Sequence, residues 1–410
     1  MKQFDLCIIG GGPAGLMAAA IASERGKSVV LLEKNDSCGK KLLITGKGRC
    51  NITHLESDTR RFTEAFGKNG KFLFSPLSQF SIQDTIKFFN DRGLETKLER
   101  GRRVFPVSDK AKDILELFLD ILKKQKEKII YNAKIKEIVK SSSSIEKIKL
   151  ADSEIKAKSY LIATGGLSYP ETGSTGDGYK YAKKLGHTIV ETKPALTPIK
   201  VKEKWIAELM GLSLKNVSIS IYQNNKKRGE KFGEALFTHR GLSGPIVLDL
   251  SNIVRDLITV GPVEIRIDFK PALDYQKLDQ RIQRDFNEHP KAIYKNILSR
   301  LLPTKLIPII IKLSGIVYDK KVNLITKEER KKLLHLLKEF KLTATGIIGY
   351  DKAVVTAGGI CLKEVDSKTM QSKIIDNLYF AGEILDLDGS TGGFNLQVCW
   401  STGYVAGKNA

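Results

Sequence analysis

The sequence is poor in cysteine and histidine, with five of each among 410 residues. Cys7, Cys38, Cys50, Cys361 and Cys399 are odd in number and contain no C-x-x-C pair, which speaks against a disulfide framework and for a reduced, cytoplasmic chain. The histidines show no H-E-x-x-H spacing, so no metal is expected. Long apolar runs are missing as well. The longest, such as Leu306 to Ile311, fall far short of the ~18 residues a membrane span requires. The opening Met-Lys-Gln lacks the charged region, apolar stretch and cleavage site of a secretory signal. No internal repeat is evident, and the four serines at 141–144 read as a hairpin turn.

What is present is a globular composition, 41% hydrophobic and 28% charged, long enough for two or three domains. Basic residues dominate: 68 Lys and Arg stand against 46 Asp and Glu, a formal charge of +22. Such a field favours a polyanion such as RNA, DNA or an anionic membrane surface. The cations are spread along the chain, so a simply lysine-rich composition is the competing reading.

Residues 4–9 form a short apolar run that reads as a buried strand. It is followed by Gly10-Gly11-Gly12-Pro13-Ala14-Gly15, an alanine-rich helical stretch to Arg25, and a second apolar strand, Ser28 to Leu32, that ends at Glu33. This is a G-x-G-x-x-G fingerprint in a βαβ setting. Gly10 permits the tight turn, Gly12 lets backbone approach a pyrophosphate, and Gly15 lets the helix lie close on the sheet. The free N–H groups of the helix N-terminus favour phosphate, and Glu33 is placed to accept from ribose hydroxyls. Two further apolar strands end in glycine: Tyr160 to Ile162 runs into Ala163-Thr164-Gly165-Gly166, and Leu378 to Phe380 runs into Ala381-Gly382-Glu383. A second strand end of this kind near the C-terminus suits an extended cofactor, FAD, better than NAD alone. No second G-x-G-x-x-G follows a strand, so NAD(P)H is expected only as a transient reductant.

The helical pattern recurs at Ser81 to Asp91 and Asp109 to Gln125, and residues 94–107 alternate like a hairpin. From about Glu191 the pattern becomes strand-like, at Val217 to Tyr222 and Val263 to Phe269. Residues 271–342 look helical and carry sixteen Lys and Arg against eight Asp and Glu. Strand-like sequence returns at Ala353 to Thr356.

Several unusual segments carry a resemblance. They are Gly39 to Asn51 (GKKLLITGKGRCN), Gly101 to Ala111 (GRRVFPVSDKA), Ala163 to Gly178 (ATGGLSYPETGSTGDG), Leu236 to Pro245 (LFTHRGLSGP), Val355 to Glu364 and Leu378 to Gly403. Over essentially its whole length the chain resembles the BaiN/YhiN-like family of FAD-dependent flavoproteins. That family has glycine or another small residue where Lys47 stands. The resemblance implies an α/β fold: a glutathione-reductase-type FAD-binding Rossmann domain with an inserted β-rich domain and a small helical domain. The corresponding boundaries are 1–190 and 357–410 for the FAD domain, 191–270 and 343–356 for the β-rich domain, and 271–342 for the helical one.

It also implies the cofactor contacts. Gly10, Gly12, Pro13, Ala14 and Gly15 take the pyrophosphate and Glu33, with Lys34, the ribose. Lys40, Lys41 and Arg49 lie toward the phosphates. Thr45, Gly46, Cys50 and Asn51 belong to the loop over the cofactor, and Ala163, Thr164, Gly165 and Gly166 to the strand end beside it. Gly382 and Glu383 approach the ribityl chain. Gly392, Gly393, Phe394, Asn395 and Leu396 set a helix N-terminus beside the flavin pyrimidine, where its dipole stabilises negative charge.

Thr175-Gly176-Asp177-Gly178 looks like the corresponding stretch of fumarate reductases, which move hydride between flavin and an activated C=C. The expected activity is therefore hydride delivery from flavin N5 to a C=C conjugated with a carbonyl, with a protein acid protonating the neighbouring carbon. Candidate acids are Cys50, His239 and Tyr169. Cys50 could equally be a buried small residue, His239 a backbone partner in the β-rich domain, and Tyr169 a packing group. Family members are associated with enone reduction, amine oxidation and dihydrouridine formation in ribosomal RNA. The charge favours RNA as partner; a small unsaturated or amine metabolite is the alternative, and a non-catalytic flavin-binding sensor is the third reading. Oligomeric state is not legible.

Overall fold

The apolar run Phe4–Ile9 (β1) is flanked on both sides by other apolar runs, so it has no solvent face to present and becomes the middle of a parallel sheet. The computed structural model describes residues 3–410. The sheet has five strands in the order Leu378–Phe380, Ala157–Ile162, β1, Val29–Leu32 (β2), Lys128–Ile130, all parallel. The chain leaves β1 toward β2 and later returns to its other side. The strand order therefore reverses at β1, and open α/β sheets place their ligands beyond the strands' carboxyl ends at such a switch point.

Helix α1 (Pro13–Glu24) is buried from Ala14 to Ser23, as its run of alanines predicts. It lies against the C-terminal helix Phe394–Asn409 at backbone distance. A Cβ on Gly403 would stand 2.5 Å from the Ala14 carbonyl oxygen, and one on Gly407 would strike that of Ala18. The amphipathic helix Ala111–Lys124 buries Ile114, Leu115, Phe118 and Leu122, and Phe118 stacks on Trp400 at 5.7 Å. The hairpin Thr96–Glu99/Arg103–Pro106 gains a third strand from Thr53–His54. The serine turn closes with Ser141 N–H donating to Ser144 O at 3.0 Å.

The chain divides into two units, one formed by residues up to Ala195 with Tyr350–Ala410, the other by Leu196–Gly349. Each has its own apolar core. The second is a closed six-stranded barrel ordered Ile199–Val201, Gly241–Ser243, Lys226–Thr238, Ser213–Gln223, Val263–Asp268, Phe340–Ile347. Residues 271–342 are expected as a separate helical domain. Instead Leu278, Ile282, Ile310, Leu333 and Leu337 share one core with Ile267 and Phe340 of the barrel strands. Helix Pro245–Ile258 is absent from the strand-like reading of 191–270. It starts with Pro at its first position after Gly244 and buries Ile246, Val247, Leu250 and Val254. No helix among the described residues is long and apolar enough to cross a membrane.

A nucleotide cradle beyond the parallel sheet

Two of the fingerprint glycines, Gly10 and Gly15, are forced by a neighbour, and the third, Gly12, stands open. Gly10 has φ +108°, and a Cβ there would lie 2.5 Å from the Ala163 carbonyl oxygen, so this turn admits only glycine. A Cβ on Gly15 would run into the Gly10 carbonyl. Around Gly12 the space is open, with nothing within 4 Å of a Cβ position. Gly12 is the N-cap of α1 and supplies no side-chain cap, so the first-turn N–H groups face this open side as anion donors. Glu33, 7% exposed, accepts from Gly11 N–H at 2.9 Å and from Asn35 N–H at 2.8 Å. Each of its carboxylate oxygens keeps capacity for a ribose hydroxyl.

Four distant segments meet in one polar network. Lys41 Nζ donates to Glu383 Oε2 and to Ser168 Oγ, both at 2.6 Å. Glu383 Oε1 accepts from Ser168 Oγ at 2.7 Å and from Thr356 N–H at 3.0 Å. Thr356 Oγ1 in turn accepts from the N–H groups of Leu167 and Ser168. Gly166 is glycine because a Cβ would strike Thr356 Oγ1. Gly382 N–H is held by Thr402 Oγ1 at 2.9 Å. The carboxylate and the ammonium are partly buried, so the pair fixes the loops as well as balancing charge.

At the third corner, Gly392 and Gly393 have φ +110° and +104°, and Gly393 lies directly on the Thr53 backbone. Asn395 closes the loop by accepting from Gly389 N–H at 2.9 Å and donating to Gly389 O at 3.0 Å. Phe394 stacks on His54 at 4.3 Å and tilts onto Phe62 at 4.9 Å. His54 Nδ1 is 3.3 Å from Gly392 O, and burial depresses its pKa. Gly393 caps the C-terminal helix without a side-chain bond, so this N-terminus too offers free donors.

Four buried side-chain polar atoms have no partner among the described residues: Asn51 Oδ1, Thr164 Oγ1, Tyr179 OH and His187 Nδ1. Asn51 and Thr164 sit on segments expected to touch the cofactor. Tyr179, buried and under the negative charge of Glu383 and Asp386, has its phenol held well above the ordinary range, burial being the main cause. Buried polar atoms left unpaired are costly, and a ribityl diphosphate supplies partners of the right kind. The residues present fit FAD.

Some expected contacts take another form. Arg49 is engaged by acidic side chains. Its guanidinium is held by Glu99 and by Asp109, the latter at 2.6 and 2.8 Å, and lies 4.2 Å over Phe105, because the 96–106 hairpin brings these groups to its planar fork. Lys34 is engaged by Asp177 at 2.9 Å and by Thr175, Lys40 by Asp36 at 2.8 Å. Thr45 Oγ1 donates locally to Leu42 O. Gly46, Lys47 and Gly48 all have positive φ, so Lys47 holds a conformation that favours glycine.

Of the candidate acids, Cys50 is completely buried and its thiol is pushed up to about 12 by that burial, so no substrate carbon reaches it. Tyr169 takes the left-handed region at φ +52° and is partly buried. His239 is exposed in the turn between Lys226–Thr238 and Gly241–Ser243 of the barrel unit. Ser168, Thr356, Tyr179 and His54 escape sequence reading, since each acts through residues remote in the chain.

The HI0933-like protein Rossmann domain matches residues 4–409. The chain belongs to this family. The chain is 34% identical, over 98% of both lengths, to the 3-dehydro-bile acid delta(4,6)-reductase of Clostridium scindens. The ribosomal RNA dihydrouridine synthase of Haemophilus influenzae is 33% identical, over 99% of this chain and 98% of its own. The fold is shared with 3-ketosteroid delta1-dehydrogenase from Sterolibacterium denitrificans, at TM-score 0.54, 11% identity and 99% coverage of both chains. This HI0933-like protein is an FAD-dependent oxidoreductase.

Proposed function

We propose that this flavoprotein reduces a C=C conjugated with a carbonyl, and that its substrate is uridine in ribosomal RNA, converted to dihydrouridine. The carrying observation is full-length similarity to a dihydrouridine synthase in a chain of net charge +22, a field that suits a phosphate backbone. Bound FAD supplies the hydride chemistry. The chain's own part is binding, orientation and the proton. The open N-terminus of α1 at Gly12 and the carboxylate of Glu33 hold the pyrophosphate and ribose. The Lys41–Glu383–Ser168 network fixes the loops that meet the ribityl chain. The uncapped helix at Gly393 places donors where negative charge is to be held.

The proton donor is assigned to Tyr169, with His239 as alternate. Tyr169 directly follows Ser168 of that network and is partly buried, and a phenol, with an ordinary pKa of about 10, carries its proton at neutral pH without any shift. NAD(P)H serves as a transient reductant, tested by stopped-flow reduction of the bound flavin with NADH and with NADPH. A second reading, reduction of a small enone, is favoured by the 34% identity to the bile acid reductase.

The deciding experiment maps dihydrouridine in ribosomal RNA from a deletion strain. Loss of one site, restored by the intact gene, is expected. An unchanged map together with turnover of an enone by the purified protein would replace the RNA reading with the metabolite one.

A further inference from the structure

Residues 59–79 form a small clamp in the sheet unit: helix Thr59–Glu64, the 3-10 turn Gly67–Leu73 and helix Phe74–Gln79. Its inner side is apolar. Phe62, Phe66, Leu73 and Leu77 are buried, and Gly70 sits so close that a Cβ would strike the Thr63 carbonyl. That side grips the loop leading into the C-terminal helix. Asn69 Nδ2 donates to Asp386 O at 2.8 Å and Asp386 Oδ2 at 2.9 Å. The Phe66 ring lies 2.5 Å from where a Gly389 Cβ would be, and Phe62 packs on Phe394.

The outer side has a different chemistry. In a 3-10 turn residues three apart eclipse one another, about 6 Å apart along the axis. Lys68, Lys71 and Phe74 follow this spacing and all three are exposed, Phe74 by 41%. Neither lysine makes an ion pair among the described residues, whereas Lys34, Lys40, Lys41 and Arg49 around the cradle are all paired. Two unneutralised cations in line with an exposed aromatic ring, carried on the clamp that grips the flavin-end loop, match a phosphate backbone with an unstacked base.

We infer that Lys68, Lys71 and Phe74 form a ridge that binds the single-stranded RNA flanking the reduced uridine, the lysines meeting phosphates and Phe74 stacking a neighbouring base. This rests on the RNA reading above.

The test uses FAD-loaded protein and a short uridine-rich RNA oligonucleotide, with Kd measured against salt. Lys68→Gln with Lys71→Gln should weaken binding and reduce the slope of log Kd on log salt by about 1.4, from ~0.7 per phosphate contact on a single strand. Phe74→Ala should weaken binding about tenfold with the slope unchanged, and Phe74→Trp should restore it. Flavin content should match wild type in every variant. If wild type binds and modifies RNA while the variants bind equally well, the ridge is overturned and the RNA reading stands. If wild type neither binds RNA nor changes its dihydrouridine map, the RNA reading fails and the ridge with it. Retention on anionic lipid vesicles without RNA binding would also overturn the ridge.

Discussion

The two units differ in where their glycines are pinned and in how densely they carry charge. In the sheet unit, glycines 10, 15, 166, 393, 403 and 407 each face another chain segment at a distance no side chain permits. In the barrel unit Gly241 is pinned in the same way, against the Ile199 carbonyl where two strands meet, whereas Gly211 and Gly346, also at positive φ, have nothing within 4 Å of a Cβ. Charge separates the units more clearly. The barrel unit holds 28 Lys and Arg against 16 Asp and Glu over 154 residues, and the remaining 256 residues hold 40 against 30. The excess is therefore +12 and +10, denser in the barrel unit. The pinned glycines of the sheet unit cluster at the fingerprint and the C-terminal helix, those of the barrel unit where strands and helix Pro245–Ile258 meet, and the barrel unit carries the denser charge.

That contrast predicts a graded set of effects. Gly15→Val should be the most damaging, because the fingerprint turn cannot yield: colourless or insoluble protein is expected. Gly211→Ala in the barrel unit should cost only about 1 kcal/mol in thermal unfolding, and leave flavin content intact. Equal damage from both would erase the difference between the units.

Next in size is Lys41→Met, which leaves the partly buried Glu383 carboxylate without its cation. A loss of about 2 kcal/mol is expected. Adding Glu383→Gln should recover part of it, and Lys41→Arg should retain most. Tyr179→Phe should be smaller and selective. The apoprotein should be no less stable, since its hydroxyl has no protein partner. FAD affinity should fall by about fivefold, one ordinary hydrogen bond. An unchanged affinity would mean that this hydroxyl does not meet the cofactor.

The smallest effect is a pH dependence. Burial depresses the His54 pKa below its ordinary 6.5. The unfolded chain then binds the proton more readily, so this contribution is fully present above about pH 6.5 and is lost as pH falls below it. His187 is shifted in the same direction, mainly by burial. Denaturation midpoints of His54→Gln between pH 5 and 8 should show a shallower acid fall than wild type.

The β1–α1–β2 unit was legible because its signals are local: two apolar runs, a glycine turn and an acid at fixed spacing. The helices of 271–342 were legible as helices, from their periodicity, but not as part of the barrel's core, because shared burial depends on tertiary packing. Helix Pro245–Ile258 was masked by the alternating strands on either side, although Pro245 and the apolar spacing 246, 250, 254 mark it in retrospect. The family resemblance places Arg49 toward the phosphates, and no local signal in the sequence marks its acidic partners. Only the folded hairpin brings Glu99 and Asp109 to it. Tyr179 carries no local signature at all; its isolation appears only when the network around Glu383 is assembled.

In the proposed site, residues 10–15, 163–168 and 382–396 close around one flavin nucleotide. The direct measurement is titration of the apoprotein with FAD, followed by absorbance of the bound flavin. Saturation at one FAD per chain, lost in Gly15→Val and weakened in Tyr179→Phe and Lys41→Met, is the predicted result. Folded wild-type apoprotein that takes up no FAD would contradict it.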